Sequence, residues 1–329
     1  RRKPDAELNV MSWHAQFEAR MSPTGANADL RVPLKPSELY GTMVALGRLI
    51  AQKINWTGPL PATGPTKASR TVLLQVAETL AAERRRAVVL CGAPDVASQV
   101  VANWINQMLG AYEVVADLEH PSHIAEGEAG GFDALLDEMN RGEIAVLIVR
   151  GCNPAQDHPR SEEFRKAAAK VGMLVSLAGR PDETTKLAKV VCPEHHALES
   201  WADHDAHGRA LSLSQPTIAP LRGTRDALET LARWDGRSKT AHELIRDHWR
   251  TAIFPRQKKA GTFEQFWENV VRAGTLAVDI DARKTAFNPA ALSTLKTPRS
   301  SSAGYELVSY QSVPLGDGRQ ANNPWLQEL

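Results

Sequence analysis

The chain has 329 residues, 43% hydrophobic and 23% charged, so it can bury a full core and has room for two domains. Lys and Arg number 39 against 38 Asp and Glu, a net charge of +1, and no basic stripe interleaves with aromatics, which argues against nucleic acid as a partner. No apolar run reaches the roughly 18 residues of a spanning helix, and no signal core follows Arg1-Arg2-Lys3-Pro4, so the start reads as the interior of something longer.

Residues 7 to 20 allow one strand near Leu8 to Trp13. A turn-rich stretch, Ser22 to Asp29, leads to a short alternating strand over Leu30 to Leu34. Ser37 is the candidate N-cap of a helix with Leu39, Met43, Leu46 and Ile50 on one face. A Pro/Gly connector from Trp56 to Gly64 precedes a helix over about Pro65 to Arg86. The arginines at its end suit a helix C-terminus and give a weaker hint of an anion site.

From Ala87 to Asp203 short apolar runs alternate with helical patterns. Strand one, Ala87–Cys91, ends in Gly92-Ala93-Pro94-Asp95, where Asp95 caps a helix stopped by Gly110. Strand two spans Tyr112 to Ala116, and Gly127 to Gly131 is a loop. Phe132, Leu135, Leu136 and Met139 mark a helix ended by Gly142. Strand three, Ile144–Val149, ends in Arg150-Gly151-Cys152-Asn153-Pro154. A helix over Ser161 to Val171, strand four at Met173 to Ala178, a short helix from Asp182 and strand five at Val190 to Pro193 follow.

Runs apolar on both faces and alternating with helices predict an α/β fold with a doubly wound, mostly parallel sheet, in the order 2-1-3-4-5. Strands one and three are then neighbours, and Gly92 to Asp95 faces Gly151 to Pro154 across a crevice at the carboxyl ends. No GxGxxG follows any strand, which counts against a free-standing nucleotide-binding enzyme. Asp182 and Glu183 are expected to cap the helix they precede.

Pro193 to Gly208 is loaded with polar residues. His195, His196 and Glu199 offer metal-ligating atoms in an HHxxE pattern, weaker than HExxH, and hydrogen bonding around a folded loop is the simpler reading. Trp201 is expected to pack this loop onto the sheet. Cys91, Cys152 and Cys192 form no CxxC, so they read as small buried hydrophobes rather than cluster ligands. Leu211 to Leu221 is extended, and amphipathic helices over about 224–234, 240–252 and 262–273 form a helical layer. Ala286 to Ser302 reads as an exposed connector and Tyr305 to Tyr310 as a strand. The expected division is 1–64, completing a preceding domain; 65–222, the α/β domain; 223–303, helices and connector; and 304–329, the start of a β-rich cap.

An ordered series of motifs resembles the molybdopterin oxidoreductase superfamily. It comprises Ala28-Asp29-Leu30-Arg31-Val32-Pro33-Leu34-Lys35-Pro36-Ser37-Glu38, Gly151-Cys152-Asn153-Pro154, Asp182-Glu183-Thr184, Leu198-Glu199-Ser200-Trp201 and Ser212-Leu213-Ser214-Gln215-Pro216. Within that superfamily, Glu18 to Arg31, His195-His196-x-x-Glu199-Ser200-Trp201 and Gly316 to Leu329 are similar to the large iron–sulfur subunit of bacterial alternative complex III, a quinol oxidoreductase. The resemblance implies a molybdopterin-like scaffold with no redox centre or metal in this stretch, and iron–sulfur clusters in a domain beyond residue 329. It also implies cytochrome and quinol-oxidising membrane subunits as partners, at the periplasmic face of the cytoplasmic membrane. Gly92, Asp95, Gly151, Asn153, Asp182, Glu183 and Thr184 would line a vestigial crevice. The alternative is an active molybdopterin-dinucleotide enzyme, in which the crevice binds the cofactor. Ser37-Glu38 stands where cofactor-binding relatives have Gly-x-Asp, which favours the scaffold.

Overall fold

The computed structural model describes residues 11–119, 122–124, 127, 130–206, 210–257, 261–278, 286–296, 298, 304–316, 318 and 323–328. Arg1 to Pro4, the first part of the Leu8 to Trp13 run, His207, Gly208, Asp317, Arg319, Asn322 and Leu329 lie outside the described residues. The chain forms two compact units, Arg1–Glu119 with Arg283–Leu329, and His120–Ala282.

The first unit opens with strand β1 (Ala15–Glu18), the short helix α1 (Pro23–Ala26) and strand β2 (Leu30–Pro33). The strands pair in parallel, Ala15 opposite Leu30. Glu18 ties the crossover together. Its carboxylate accepts from the amide and hydroxyl of Ser22 and, at 2.7 Å, from Nε of Arg31. A Cβ on Gly25 would meet that carboxylate, so a larger residue there would push the Glu18 side chain off its partners. Asp29 accepts the His14 amide at 2.7 Å. The Glu18-to-Arg31 motif thus has a structural role: it closes a tight parallel crossover.

Three helices supply the core of this unit: α2 (Leu39–Lys53), α3 (Arg70–Ala82) and α4 (Val96–Leu109). Met43, Leu46 and Ile50 of α2 are buried with Leu73, Val76, Val101, Trp104 and Ile105. The helices approach closely because Gly47 lacks a side chain; a Cβ there would sit 2.3 Å from the Trp104 ring. Ser37 does not cap α2. A 3-10 turn, Pro36–Glu38, precedes the helix, and the Ser37 hydroxyl donates instead to Glu306. Leu292, within the stretch expected to be an exposed connector, is buried in this core.

Three strands expected in this unit are corrected, and the last of them, Tyr305–Tyr310, forms no strand among the described residues. Ala87, Val89 and Cys91 pack against the core while Leu90 is 86% exposed, an alternation that suits a strand, yet among the described residues Ala87–Cys91 pairs with no strand. The α4 side chains take the partner strand's place. Asn106 donates to the Val89 carbonyl at 2.8 Å and accepts the Val89 amide at 2.7 Å, and Gln99 donates to the carbonyls of Cys91 and Ala93. A side-chain amide offers the same donor and acceptor as a backbone peptide. Asn106→Leu is expected to cost about 1–2 kcal/mol by orphaning both Val89 groups, read as a lowered denaturation midpoint; an unchanged midpoint would refute this account. Tyr112 to Ala116 is likewise no strand: Ala111–Glu113 is a 3-10 turn, and the amides of Val114, Val115 and Ala116 all donate to the Ala111 carbonyl.

The second unit begins with α5 (Gly131–Arg141), β3 (Val146–Val149), α6 (Ser161–Ala168), β4 (Met173–Ser176) and β5 (Val190–Val191). The strands form a parallel sheet in the order β3-β4-β5, Val146 opposite Met173 and Val175 opposite Val190. Leu136 and Met139 of α5 and Phe164 and Ala167 of α6 cover one face, against Val149 and Leu174. On the other face Val146 and Ile148 are 50% and 42% exposed. The expected 2-1-3 neighbours are corrected: among the described residues β3 is an edge strand, and the sequential 3-4-5 part of the order stands.

An antiparallel sheet completes the unit, with β6 (Ala202–Asp205), β7 (Ala210–Ser214), helices α7 (Ala227–Trp234), α8 (Ala241–His248) and α9 (Phe263–Ala273), and β8 (Thr275–Ala277). Helices α8 and α9 start with capping boxes, Thr240 with Glu243 and Thr262 with Gln265. Helix α8 runs into a π-helical turn, Trp249–Ile253, just before Pro255. Proline has no amide to donate and its ring crowds the carbonyl four residues back, here that of Thr251, which loosens the last turn. Trp249, Phe263, Phe266, Trp267 and Ile245 pack together over Leu213. Trp201 joins this cluster rather than the parallel sheet, 4.7 Å from His242 and 6.4 Å from Trp267 by ring centroids.

Candidate functional site

The sequence-predicted residues fall in both units. Gly92 and Asp95 belong to the first. Asp95 caps α4, accepting the Ser98 amide at 2.8 Å, and a Cβ on Gly92 would touch nothing within 4 Å.

Gly151, Asn153, Asp182, Glu183 and Thr184 come together at the carboxyl end of the parallel sheet in the second unit, the end where α/β sheets bind ligands. Strand β3 leaves through Gly151, whose φ of 68° suits glycine. The next turn sends Asn153 toward the loop after β4. Its Oδ1 accepts from the Thr184 amide at 3.1 Å and the Thr184 hydroxyl at 2.7 Å, and its Nδ2 donates to Glu183 at 2.8 Å. Thr184 is fully buried and its hydroxyl also accepts the Ala155 amide at 3.2 Å. Arg165 of α6 donates to the Ala155 carbonyl. The Asn153 side chain holds Glu183 below the usual carboxylate range, helped by the Glu183 backbone.

Asp182 meets the expectation in part: its carboxylate accepts the amide of Thr185, the first residue of the 3-10 turn Thr185–Leu187, at 2.7 Å, although Thr184 holds the cap position and makes no side-chain cap bond. Glu183 departs from the expectation and reaches across to Asn153. At the same sheet end Arg150 pairs with Glu194 at 2.7 Å.

The HHxxE pattern folds as a cap. The His196 ring accepts the Leu198 amide, and Glu199 accepts the amides of His196 at 2.9 Å and Leu221 at 2.8 Å. These amides, Leu221 first, keep the Glu199 carboxyl below its ordinary range. His195 pairs with the Thr224 hydroxyl at 2.6 Å. Among the described residues no group of three or more His, Cys, Asp or Glu is placed to hold a metal ion, and no helix is long and apolar enough to cross a membrane. Sequence reasoning missed Arg165 and Ala155, whose only signal is their closeness to the Gly151-to-Pro154 loop.

A dinucleotide of the kind the resembled enzymes bind would meet side chains that are already engaged. The Asn153 oxygen accepts both Thr184 donors, one of its amide hydrogens goes to Glu183, and the Thr184 hydroxyl is spent within the protein. The Glu183 carboxylate adds a negative charge beside them, so these side chains do not fit an anionic group without breaking these bonds.

No protein-family model matches the chain. In sequence it is similar to the NADPH-Fe(3+) oxidoreductase subunit alpha of Geobacter sulfurreducens, 26% identical over 164 residues in two strains, DL-1 / KN400 and ATCC 51573 / DSM 12127 / PCA. That match covers 48% of this chain and 19% of the relative, so the chain spans about a fifth of the relative's length. In fold it is similar to acetylene hydratase from Pelobacter acetylenicus, with a TM-score of 0.50 at 12% identity, covering 81% of this chain and 48% of the other. The chain thus resembles an oxidoreductase subunit in sequence over about half its length and acetylene hydratase in fold.

Proposed function

We propose that this chain is the molybdopterin-like scaffold of an oxidoreductase subunit, of the type of the alternative complex III iron–sulfur subunit, with no redox centre of its own. The observation that carries this reading is the closure of the two strand-end loops on each other through Asn153, Glu183 and Thr184. Groups that would meet a nucleotide serve to hold the sheet's carboxyl end shut. The motif carrying the resemblance near the N-terminus is likewise engaged internally, through Glu18, Ser22 and Arg31. A doubly wound molybdopterin-like sheet, membrane-bound cytochrome and quinol-oxidising partners, a periplasmic location and iron–sulfur clusters in a further domain belong to the same proposal.

The alternative, a working pterin-dinucleotide enzyme, draws on one feature. Gly151 is open around its Cα, so its backbone is accessible from the sheet end. Molybdenum and pterin analysis of the full-length protein separates the readings. The scaffold predicts neither above trace, with iron and sulfide present; near-stoichiometric molybdenum overturns it.

A further inference from the structure

The segment Gly304–Tyr310 lies against the start of α2. Among the described residues, the contacts that fasten it are polar or charged. The Glu306 carboxylate accepts the Ser37 hydroxyl at 2.5 Å and the Ser37 amide at 3.0 Å. Lys35 donates to the Gly304 carbonyl at 3.1 Å, and the Arg20 guanidinium sits 3.6 Å from the centre of the Tyr310 ring. Its apolar side chains point elsewhere: Tyr305 is fully exposed and Leu307 is 96% exposed. Neither they nor Val308 and Tyr310 join the buried cluster under α2.

Ordinary chain segments are held down mostly by buried apolar area. A segment fastened by hydrogen bonds from a charged group to neutral partners is sensitive to protonation, because such bonds lose their added strength with the charge. We propose that Gly304–Tyr310 is a detachable clasp on the N-terminal turn of α2, fastened by Glu306, Lys35 and Arg20 and released by acid. Release uncovers the Ser37 amide without exposing core.

The charged group facing Glu306 is Lys35, and the Ser37 hydroxyl and amide, in that order, hold the Glu306 carboxyl below its ordinary range. The sign follows. The fastening is complete above the usual glutamate value of about 4.3 and is lost as pH falls through the lower value in the folded chain.

Hydrogen exchange on the full chain tests this. At neutral pH and low salt the Ser37 amide is expected to be protected. In Glu306→Gln, and as pH falls below the usual glutamate value of about 4.3, that protection falls severalfold relative to the intrinsic exchange rate, while Met43 to Ile50 keep theirs. Leu307→Ala, on the outward face, leaves Ser37 as it was. The clasp is overturned if Ser37 protection ignores both acid and Glu306→Gln, if Leu307→Ala alone releases it, or if the loss spreads into Met43 to Ile50.

Discussion

Trp249→Ala is expected to destabilise the second unit by about 3–5 kcal/mol, the usual range for removing a buried aromatic side chain. Trp249 is 1% exposed. Its ring meets Trp267 edge-on at 6.0 Å and Phe266 at 6.2 Å, and its indole nitrogen donates to Asp203 at 2.9 Å. Deleting it opens a cavity among rings held by helix α9 and strand β7, which limits how far the site can collapse. Trp249→Phe keeps most of the volume and loses the indole donor, and Asp203, being exposed, regains water. Its cost should be smaller, about 1–2 kcal/mol. Denaturant unfolding of the three proteins side by side checks both figures. An alanine variant within about 1 kcal/mol of the parent would mean that the cluster is not the unit's core.

Helices were legible because their signals are local. Asp95 before an apolar stripe, Gly110 and Gly142 at helix ends and the Thr240 and Thr262 boxes each act within a turn or two. Strands were legible only in part. Val146–Val149 and Ala87–Cys91 are equally apolar, but a strand exists by virtue of its partner. For Val89 the partner is the side chain of Asn106, 17 residues on, and no periodicity announces that. Strand β6 was missed for the opposite reason. Ala202-Asp203-His204-Asp205 is polar, with Asp205 opposite Leu211 in the ladder, so it shows no apolar pattern.

The candidate site divides along the same line. Asp182 could be read as a cap, since its acceptor role lies three residues away. The Glu183 contact with Asn153 spans 30 residues and the Ser37 contact with Glu306 spans 269. Pairing at such separations is set by how strands and segments are brought together, and a single sequence does not encode it visibly. The HHxxE spacing shows the converse error. His196 and Glu199 are three residues apart, as metal ligands could be, and that spacing is also the one a capping box requires.

Asn153→Ala is expected to loosen both strand-end loops and to cost about 2–6 kcal/mol, since it strips the acceptor from two groups of Thr184, a fully buried residue, at about 1–3 kcal/mol each. Thr184→Val keeps the shape, removes one donor to Asn153 and leaves the Ala155 amide unmatched. If the two residues act as one latch, the double variant should be less damaged than the sum of the singles, with a coupling of about 1–3 kcal/mol. Equilibrium unfolding of the four-member cycle measures this. The result bears directly on function. A strongly coupled latch means that the sheet's carboxyl end is held closed by the chain itself, as a scaffold requires. Additive effects with a small Asn153→Ala cost would mean that the loops are free to part and that their polar groups are available to a ligand, and the closed-scaffold reading would then fail at its central observation.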